Sequence, residues 1–263
     1  VVASGQVAGA VILFMDVTER EQRDRLRREF SANVSHELKT PLTSISGFAE
    51  LMKEGLVPPE KIPEFSGDIY KESLRLIGLV NDIIQLSRLD ENSTQFQRAP
   101  VDLYALSESV IERLESVAAK QSVTLHLTGE HAEILGVEQL LKEMIYNLLD
   151  NAIKYNYHGG RVIVLAQITS PTVLEIPISD TGRGISPENL PRVKEKFYKT
   201  DNTVAGSGIG LAVADEIVKL HGGTLNIDSI LNEGTTVTIT LPIEAVTYTD
   251  EKEVHDEEAK NSN

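Results

Sequence analysis

The chain has 263 residues, 40 acidic against 25 basic side chains, a net charge of −15 and no cysteine. The charge argues against nucleic acid or an anionic lipid surface as the main partner, and the missing cysteines exclude a disulfide scaffold, a thiolate metal site and a cysteine nucleophile. Hydrophobic and charged contents of 41% and 25% are those of an ordinary globular chain, no apolar run approaches the roughly 20 residues of a membrane-spanning helix, and the first residues lack the basic stretch of a signal peptide.

Val7 to Val17 reads as one apolar strand with no partner strands before it. It is either an edge strand of the present fold or the last strand of a preceding domain. Asp16 or Thr18 is placed to cap a helix starting near Glu19. Glu19 to Arg28 is charged almost throughout, with Leu26 the lone apolar residue, the pattern of an exposed linker helix. From Phe30, apolar residues recur at helical spacing through Val34, Leu38, Ile45, Phe48 and Met52. Pro41 has no N–H to donate and predicts a kink; Gly55 and Pro58-Pro59 end the helix. A second helix is expected from about Glu60 to Leu89, burying Ile62, Phe65, Ile69, Leu76, Ile77, Val80, Ile83 and Ile84. This antiparallel hairpin has two apolar edges and no third layer, so it is expected to pair with a second copy as a four-helix bundle.

Asp90 to Pro100 is polar and aperiodic, and the domain boundary is placed there. Beyond it the pattern predicts helix 103–120, strands 122–128 and 132–135, helix 138–156, strands 161–169 and 172–179, an irregular segment 186–207, helix 208–221, and strands 223–230 and 234–241. That order gives an α+β chain of two domains, the second an α/β sandwich with one mixed sheet covered by helices on one face. Pro177 predicts a bulge or an edge position in its strand, and the acidic stretch after Thr247 is expected to be disordered.

His36 lies mid-helix among Asn33, Ser35, Glu37, Lys39 and Thr40, off the apolar stripe, so it should face solvent. A neutral imidazole is a competent nucleophile near pH 7 because its ordinary pKa is about 6.5. Glu37 can accept a hydrogen bond from the second ring nitrogen, or is simply a solvated helix charge. Thr40 lies one turn on, on the same helical face. Lys39 either meets acidic residues of a partner or is a solvated lysine.

Downstream lie Asn147-Leu-Leu-Asp150-Asn151-Ala-Ile-Lys154-Tyr155, Asp180-Thr-Gly182-Arg-Gly184-Ile185 and Gly206-Ser-Gly208-Ile-Gly210-Leu211. With the His36 run, these four motifs resemble, in order and separation, the sensor histidine kinases of bacterial two-component systems, over about Val7 to Leu241. Val7–Val17 followed by Asp16-Val-Thr-Glu19 also resembles the last strand and exit signal of a PAS sensor domain. The resemblance implies a PAS remnant at 1–17, a linker helix with a dimerisation and histidine-phosphotransfer hairpin at 18–93, an ATP-binding domain of the gyrase, chaperone and histidine-kinase type at 97–245, and an acidic tail at 246–263. It further implies the cytoplasmic portion of a membrane-anchored receptor, touching membrane only through upstream segments absent from this chain.

Asn147 and Asn151 are i and i+4 on an apolar helix, where two amides need a polar partner: an oxygen-coordinated Mg2+ or the backbone. The resemblance makes Asn151 the metal ligand, Asn147 its support, Lys154 a phosphate cation and Tyr155 a flank of the base or ribose. Hydrolases of the same fold carry Glu at the Asn147 position to activate water; Asn there favours transfer over hydrolysis. Asp180 at a strand end can accept from an adenine amino group, with Gly182, Gly184 and Ile185 forming a turn beside the base. Gly206, Gly208, Gly210 and Leu211 open a helix whose amides favour phosphate. In the mobile lid expected at 186–207, Phe197, Tyr198 and Lys199 are an aromatic anchor with a cation for the γ-phosphate, or Phe197 is ordinary core. Three departures from the family stand out: Val193-Lys194 replaces an aromatic, Val137 replaces a common acidic residue, and Pro177 interrupts a strand. The implied activity is ATP-dependent autophosphorylation of His36, transfer to an aspartate of a response regulator, and phosphatase action on that regulator. The rivals are a nucleotide-holding dimeric scaffold that mainly dephosphorylates or sequesters its regulator, and a stand-alone ATPase.

Overall fold

The computed structural model describes residues 2–3, 6–7, 17–91, 96–201 and 206–243, with no side-chain description for some residues of the first helix, nor for Asp90 and Glu91. Most of the expected strand at Val7–Val17, the tail at 246–263 and lid residues 202–205 lie outside these. At the start, β1 (Val2–Ala3) and β2 (Gln6–Val7) pair antiparallel. The chain divides into two compact units, Val1–Ile77 and Gly78–Asn263.

In the first unit, the expected linker helix and the helix from Phe30 are one continuous α1 (Thr18–Lys53). Thr18 is already helical and Val17 stands at the N-cap with no side-chain cap hydrogen bond, while Asp16, the other expected cap, lies outside the described residues. The helix continues through Pro41, which is buried. Gly55 at φ 67° turns the chain out, and Leu56 N–H donates to Leu51 O, closing the end. A 3-10 turn at Pro59–Lys61 leads into α2 (Ile62–Glu91). Phe48 and Phe65 meet edge to face at 5.3 Å between centroids. The expectation that Ile62, Ile77, Val80 and Ile84 are buried does not hold in the single chain: all four are exposed, as are Leu42, Leu51, Tyr70 and Leu74. One hairpin cannot cover both edges of its own apolar stripe.

The second unit begins its sandwich with β3 (Ala99–Asp102), a strand the sequence pattern did not suggest. It pairs antiparallel with β5 (Glu133–Gly136). The Asp102 carboxylate then caps α3 (Leu103–Lys120), accepting from Tyr104 N at 2.9 Å and Ala105 N at 3.2 Å. The main sheet has the order β4-β6-β7-β9-β8: β4 (Thr124–Gly129), β6 (Arg161–Ser170), β7 (Val173–Asp180), β9 (Gly234–Pro242) and β8 (Thr224–Ile230). Only β4 and β6 are parallel.

Helices α4 (Glu138–Lys154) and α5 (Gly210–Leu220) complete the layer with α3. Their inward residues, including Leu103, Leu114, Leu141, Ile145, Leu149 and Ile217, are all but inaccessible, and so are Val162, Leu174, Ile176 and Ile239 of the sheet. Each such side chain stabilises the fold by about 1.5–3 kcal/mol. Pro177 is not at an edge, because β7 lies between β6 and β9. Pairing with β6 passes from Val164 opposite Ile178 to Gln167 opposite Glu175, so the rungs at Pro177 are skipped, while the register shift comes at Ile168–Ser170. A residue without an N–H loses a rung on one side only.

Val137 cannot cap α4 as an acidic residue would. Instead its own N–H donates to Nε2 of buried His221 at 3.0 Å, while His221 Nδ1 lies 2.7 Å from Ile217 O. Among the described residues, no helix is long and apolar enough to cross a membrane.

Candidate active site

His36 is exposed on α1. Glu37, beside it, is half-buried, and its Oε2 lies 3.4 Å from an Arg75 guanidinium nitrogen on α2. Pro41 has no N–H, so the Glu37 carbonyl receives no helical bond from that position. The Thr40 hydroxyl donates to the His36 carbonyl at 3.2 Å, which leaves its oxygen able to accept from water. Lys39 is exposed.

In the second unit, α4 carries Asn147 and Asn151 half-buried, and neither amide side chain hydrogen-bonds another described residue. Both alternatives for these amides required a partner; backbone satisfaction is not seen. Asn147 faces the first residue of α5, where a Cβ on Gly210 would stand 3.5 Å from its Oδ1. Lys154 pairs with Asp150 at 2.5 Å. Tyr155 ends the helix, half-buried, with the Arg183 guanidinium 5.5 Å from its ring centroid; Arg183 in turn pairs with Asp201 at 2.5 Å.

Asp180 closes β7, and its Oδ1 accepts the Gly182 N–H at 2.8 Å. Gly182 passes so close to the Tyr155 carbonyl that a side chain there would collide with it. Arg183 N–H also donates to that carbonyl at 3.0 Å, which ties the α4 end to the turn after β7. Gly184 follows, and Ile185 N–H donates to Ser229 Oγ at 2.8 Å. Burial pushes the Asp180 carboxyl above its usual range, opposed by the N–H groups of Gly182 and Thr235. Burial likewise raises the Tyr155 hydroxyl, opposed by Lys154 and Arg183. A desolvated carboxylate gains most from a donor that reaches it directly.

The glycine-rich turn leads into α5 with Gly206, Gly208 and Leu211 half-buried. Gly208 takes φ +72° against the backbone of Phe197, whose N–H donates to Gly208 O at 2.9 Å. Phe197 itself has φ 69° and is half-buried, so it is not ordinary core. Tyr198 donates to Asn189 Oδ1 at 2.7 Å, with the Arg192 guanidinium 4.3 Å from its ring centroid. Lys199 is half-buried beside Gly208.

Three groups were not assigned from sequence. Lys194, noted only as a departure, donates to Asp215 Oδ1 at 2.9 Å and to Leu225 O, anchoring the 186–201 segment to α5 and β8. Burial raises Asp215, but hydrogen bonds from Lys219 and Lys194 outweigh it and hold the carboxylate below its usual range. Asp82, near the end of α2, accepts from the Ser207 hydroxyl at 2.5 Å within the glycine-rich turn. Arg75 bridges Glu37 and Glu72. Only the unexpected lysine was visible as a signal in the sequence. Among the described residues, no three acidic or histidine side chains gather as a metal cage. A divalent ion on Asn151 would take its other oxygens from substrate and water, as Mg2+ does.

Comparison with known proteins agrees with this arrangement. Residues 26–92 match the His Kinase A (phospho-acceptor) domain, and residues 136–245 match the histidine kinase-, DNA gyrase B- and HSP90-like ATPase. The sensor histidine kinase WalK of Bacillus subtilis (strain 168) is 35% identical over 245 residues, 90% of this chain and 40% of that protein. The chain spans about two fifths of the length of such curated relatives. The mycobacterial sensor histidine kinase MprB is 32% identical, with a TM-score of 0.51 over 55% of this chain and 97% of that one. The histidine kinase ThkA, solved in complex with the response regulator protein TrrA, shares the fold at a TM-score of 0.69 and 23% identity, over 86% of this chain and 65% of that one. With both domain families present in order, and a relative matched over nearly its whole solved length, the chain belongs to the sensor histidine kinases of bacterial two-component systems.

Proposed function

We propose that this chain, as a homodimer, transfers the γ-phosphoryl of ATP to His36 and then to an aspartate of a response regulator. The hairpin at 18–93 is the phosphoacceptor domain and 97–245 the nucleotide domain. The observation that carries this reading is the division of labour: an exposed histidine with its own carboxylate on one helix, and two amides with no hydrogen-bond partner among the described residues beside a glycine-rich helix start in the ATP-binding fold.

In the transfer, a ring nitrogen of His36 attacks the γ-phosphorus. The bond from that phosphorus to the β–γ bridging oxygen breaks, and ADP leaves. Glu37 accepts the hydrogen bond of the other ring nitrogen and supports the positive charge that develops on the imidazole. Asn151 would hold Mg2+ with Asn147 behind it, and the bound ion would supply neutralisation of phosphate charge. Asp180 orients the adenine, Tyr155 flanks base or ribose, and Lys154 and Lys199 face phosphate. Asparagine at position 147 supports transfer over hydrolysis, since an amide cannot take a proton from water. Lys194, standing where the family has an aromatic, anchors its segment through the ion pair with Asp215, which favours transfer over the scaffold reading. Phosphatase action on the regulator is assigned to Thr40, and linkage to a PAS domain to the residues before α1.

Incubation with γ-labelled ATP tests the reading. Acid-labile, alkali-stable label is expected on wild type and none on His36→Ala, which should keep its nucleotide affinity. Label persisting on His36→Ala would move the acceptor elsewhere; of the next candidates, His131 and His158 are exposed and His221 is buried. Free phosphate without protein label would make the chain an ATPase.

A further inference from the structure

We infer that Arg75 is a positioning residue for phosphoryl transfer, acting on His36 through Glu37; the inference rests on the role proposed above for that carboxylate. Glu37 and Arg75 lie 38 positions apart, on the two helices of the hairpin, and meet at 3.4 Å. Arg75 also meets Glu72, one turn earlier on its own helix, at 3.4 Å. All three side chains keep between 23% and 32% of their surface, so the cluster is partly withdrawn from water.

The chemistry gives this contact a use. A carboxylate flanking a nucleophilic imidazole must be charged and must stay put while charge develops on the ring. Glutamate has three free torsions, and a flexible base loses much of its effect. A guanidinium is always charged and presents several donors in a fixed plane, so it can hold the Glu37 carboxylate in one orientation beside the ring. Glu72 restrains Arg75 in turn, and places its charge against α1 without spending all of it on Glu37. The second helix would thereby take part in chemistry performed on the first.

A plain inter-helix ion pair is the competing account. Part-exposed pairs contribute little to stability, so that account predicts a small loss of stability and no particular effect on the transfer step. The two are separated by a double-mutant cycle in the whole chain, reading the rate of His36 labelling at saturating ATP, the ATP concentration at half-maximal rate, and the thermal midpoint. Arg75→Met should slow labelling by about tenfold, a fraction of the 10²–10⁴ that a positioned acid or base supplies. The half-maximal ATP concentration should stay the same. Arg75→Lys, which keeps the charge without the planar fork, should recover part of the rate. In a Glu37→Gln background, Arg75→Met should slow labelling no further.

Equal slowing by Arg75→Met in both backgrounds overturns the inference while leaving Glu37 as the base. A Glu37→Gln chain that labels at the wild-type rate removes Glu37 itself, and Arg75 with it. If Arg75→Met lowers the thermal midpoint enough to cloud its rate, Arg75→Lys decides, measured in each background. Slowing with Glu37 present and none in the Glu37→Gln chain supports the inference; equal slowing in both overturns it.

Discussion

The Ser207 hydroxyl, between Gly206 and Gly208, donates to the Asp82 carboxylate at 2.5 Å. Burial pushes Asp82 up, opposed by the Ser207 hydrogen bond and by the Lys154 charge, with Asp150 adding to the rise. A carboxylate therefore stands among the groups expected to meet phosphate, where an incoming triphosphate would meet a like charge. Asp82→Ala should tighten binding of ATP by about tenfold, equivalent to roughly 1.4 kcal/mol. Titration with a non-hydrolysable analogue checks this; weaker binding would mean that Asp82 helps to hold the turn in its binding form.

Asn151 sits half-buried without a protein partner among the described residues. Asn151→Asp keeps the shape but adds a charge beside phosphates and alters the metal site. Its affinity for Mg-ATP should fall by about tenfold or more, a change of at least roughly 1.4 kcal/mol. Calorimetry with and without Mg2+ gives the answer. Unchanged affinity together with unchanged labelling would remove Asn151 from the metal site.

Thr40 donates to the His36 carbonyl, and no step of the attack on ATP uses it. Thr40→Ala should keep autophosphorylation and transfer but lose accelerated dephosphorylation of the regulator. The exposed substitution should cost the helix nothing and even favour it slightly. Decay of pre-phosphorylated regulator, with wild-type or variant chain added, is the measurement. Equal acceleration by both would make Thr40 a bystander.

His221 links the start of α4 to the end of α5 as a neutral ring, with its proton on Nδ1 toward Ile217 O and Nε2 accepting from Val137 N–H. Burial holds it below the ordinary histidine pKa, opposed by the bond to Ile217 and helped by nearby Arg98. Unfolded, the ring takes up a proton near pH 6.5; folded, it does so only at lower pH. Its stabilising contribution is therefore complete above about pH 6.5 and shrinks as pH falls toward the folded value, by at most about 1.4 kcal/mol per pH unit for one proton. Urea unfolding at pH 7.5 and pH 5.5 should show this loss, and His221→Asn should show less of it. Equal pH dependence in both chains would assign the effect to other groups.

Much of this protein was legible along the chain because the signals are local. The 3.6-residue period marked α1 and α2, the i, i+4 spacing put Asn147 and Asn151 on one face, and glycines flagged the turns after β7 and before α5. What the sequence left open depends on groups that meet only after folding. Strand β3 was missed because its four residues include Pro100 and owe their extended form to pairing with β5, more than thirty positions on. Pro177 suggested a bulge or an edge position, since the sequence does not say that β9 lies on its other side. The apolar face of α2 and the hairpin's lack of a third layer were visible, but not which residues of that face, Ile77, Val80 and Ile84 among them, stay uncovered in a single chain. Arg75 with Glu37, Lys194 with Asp215, and Asp82 with Ser207 are separated by 38, 21 and 125 positions. A charged side chain carries no mark of its partner in the sequence: helical and strand periods follow from backbone geometry, whereas ion pairs and hydrogen bonds across elements follow from tertiary packing.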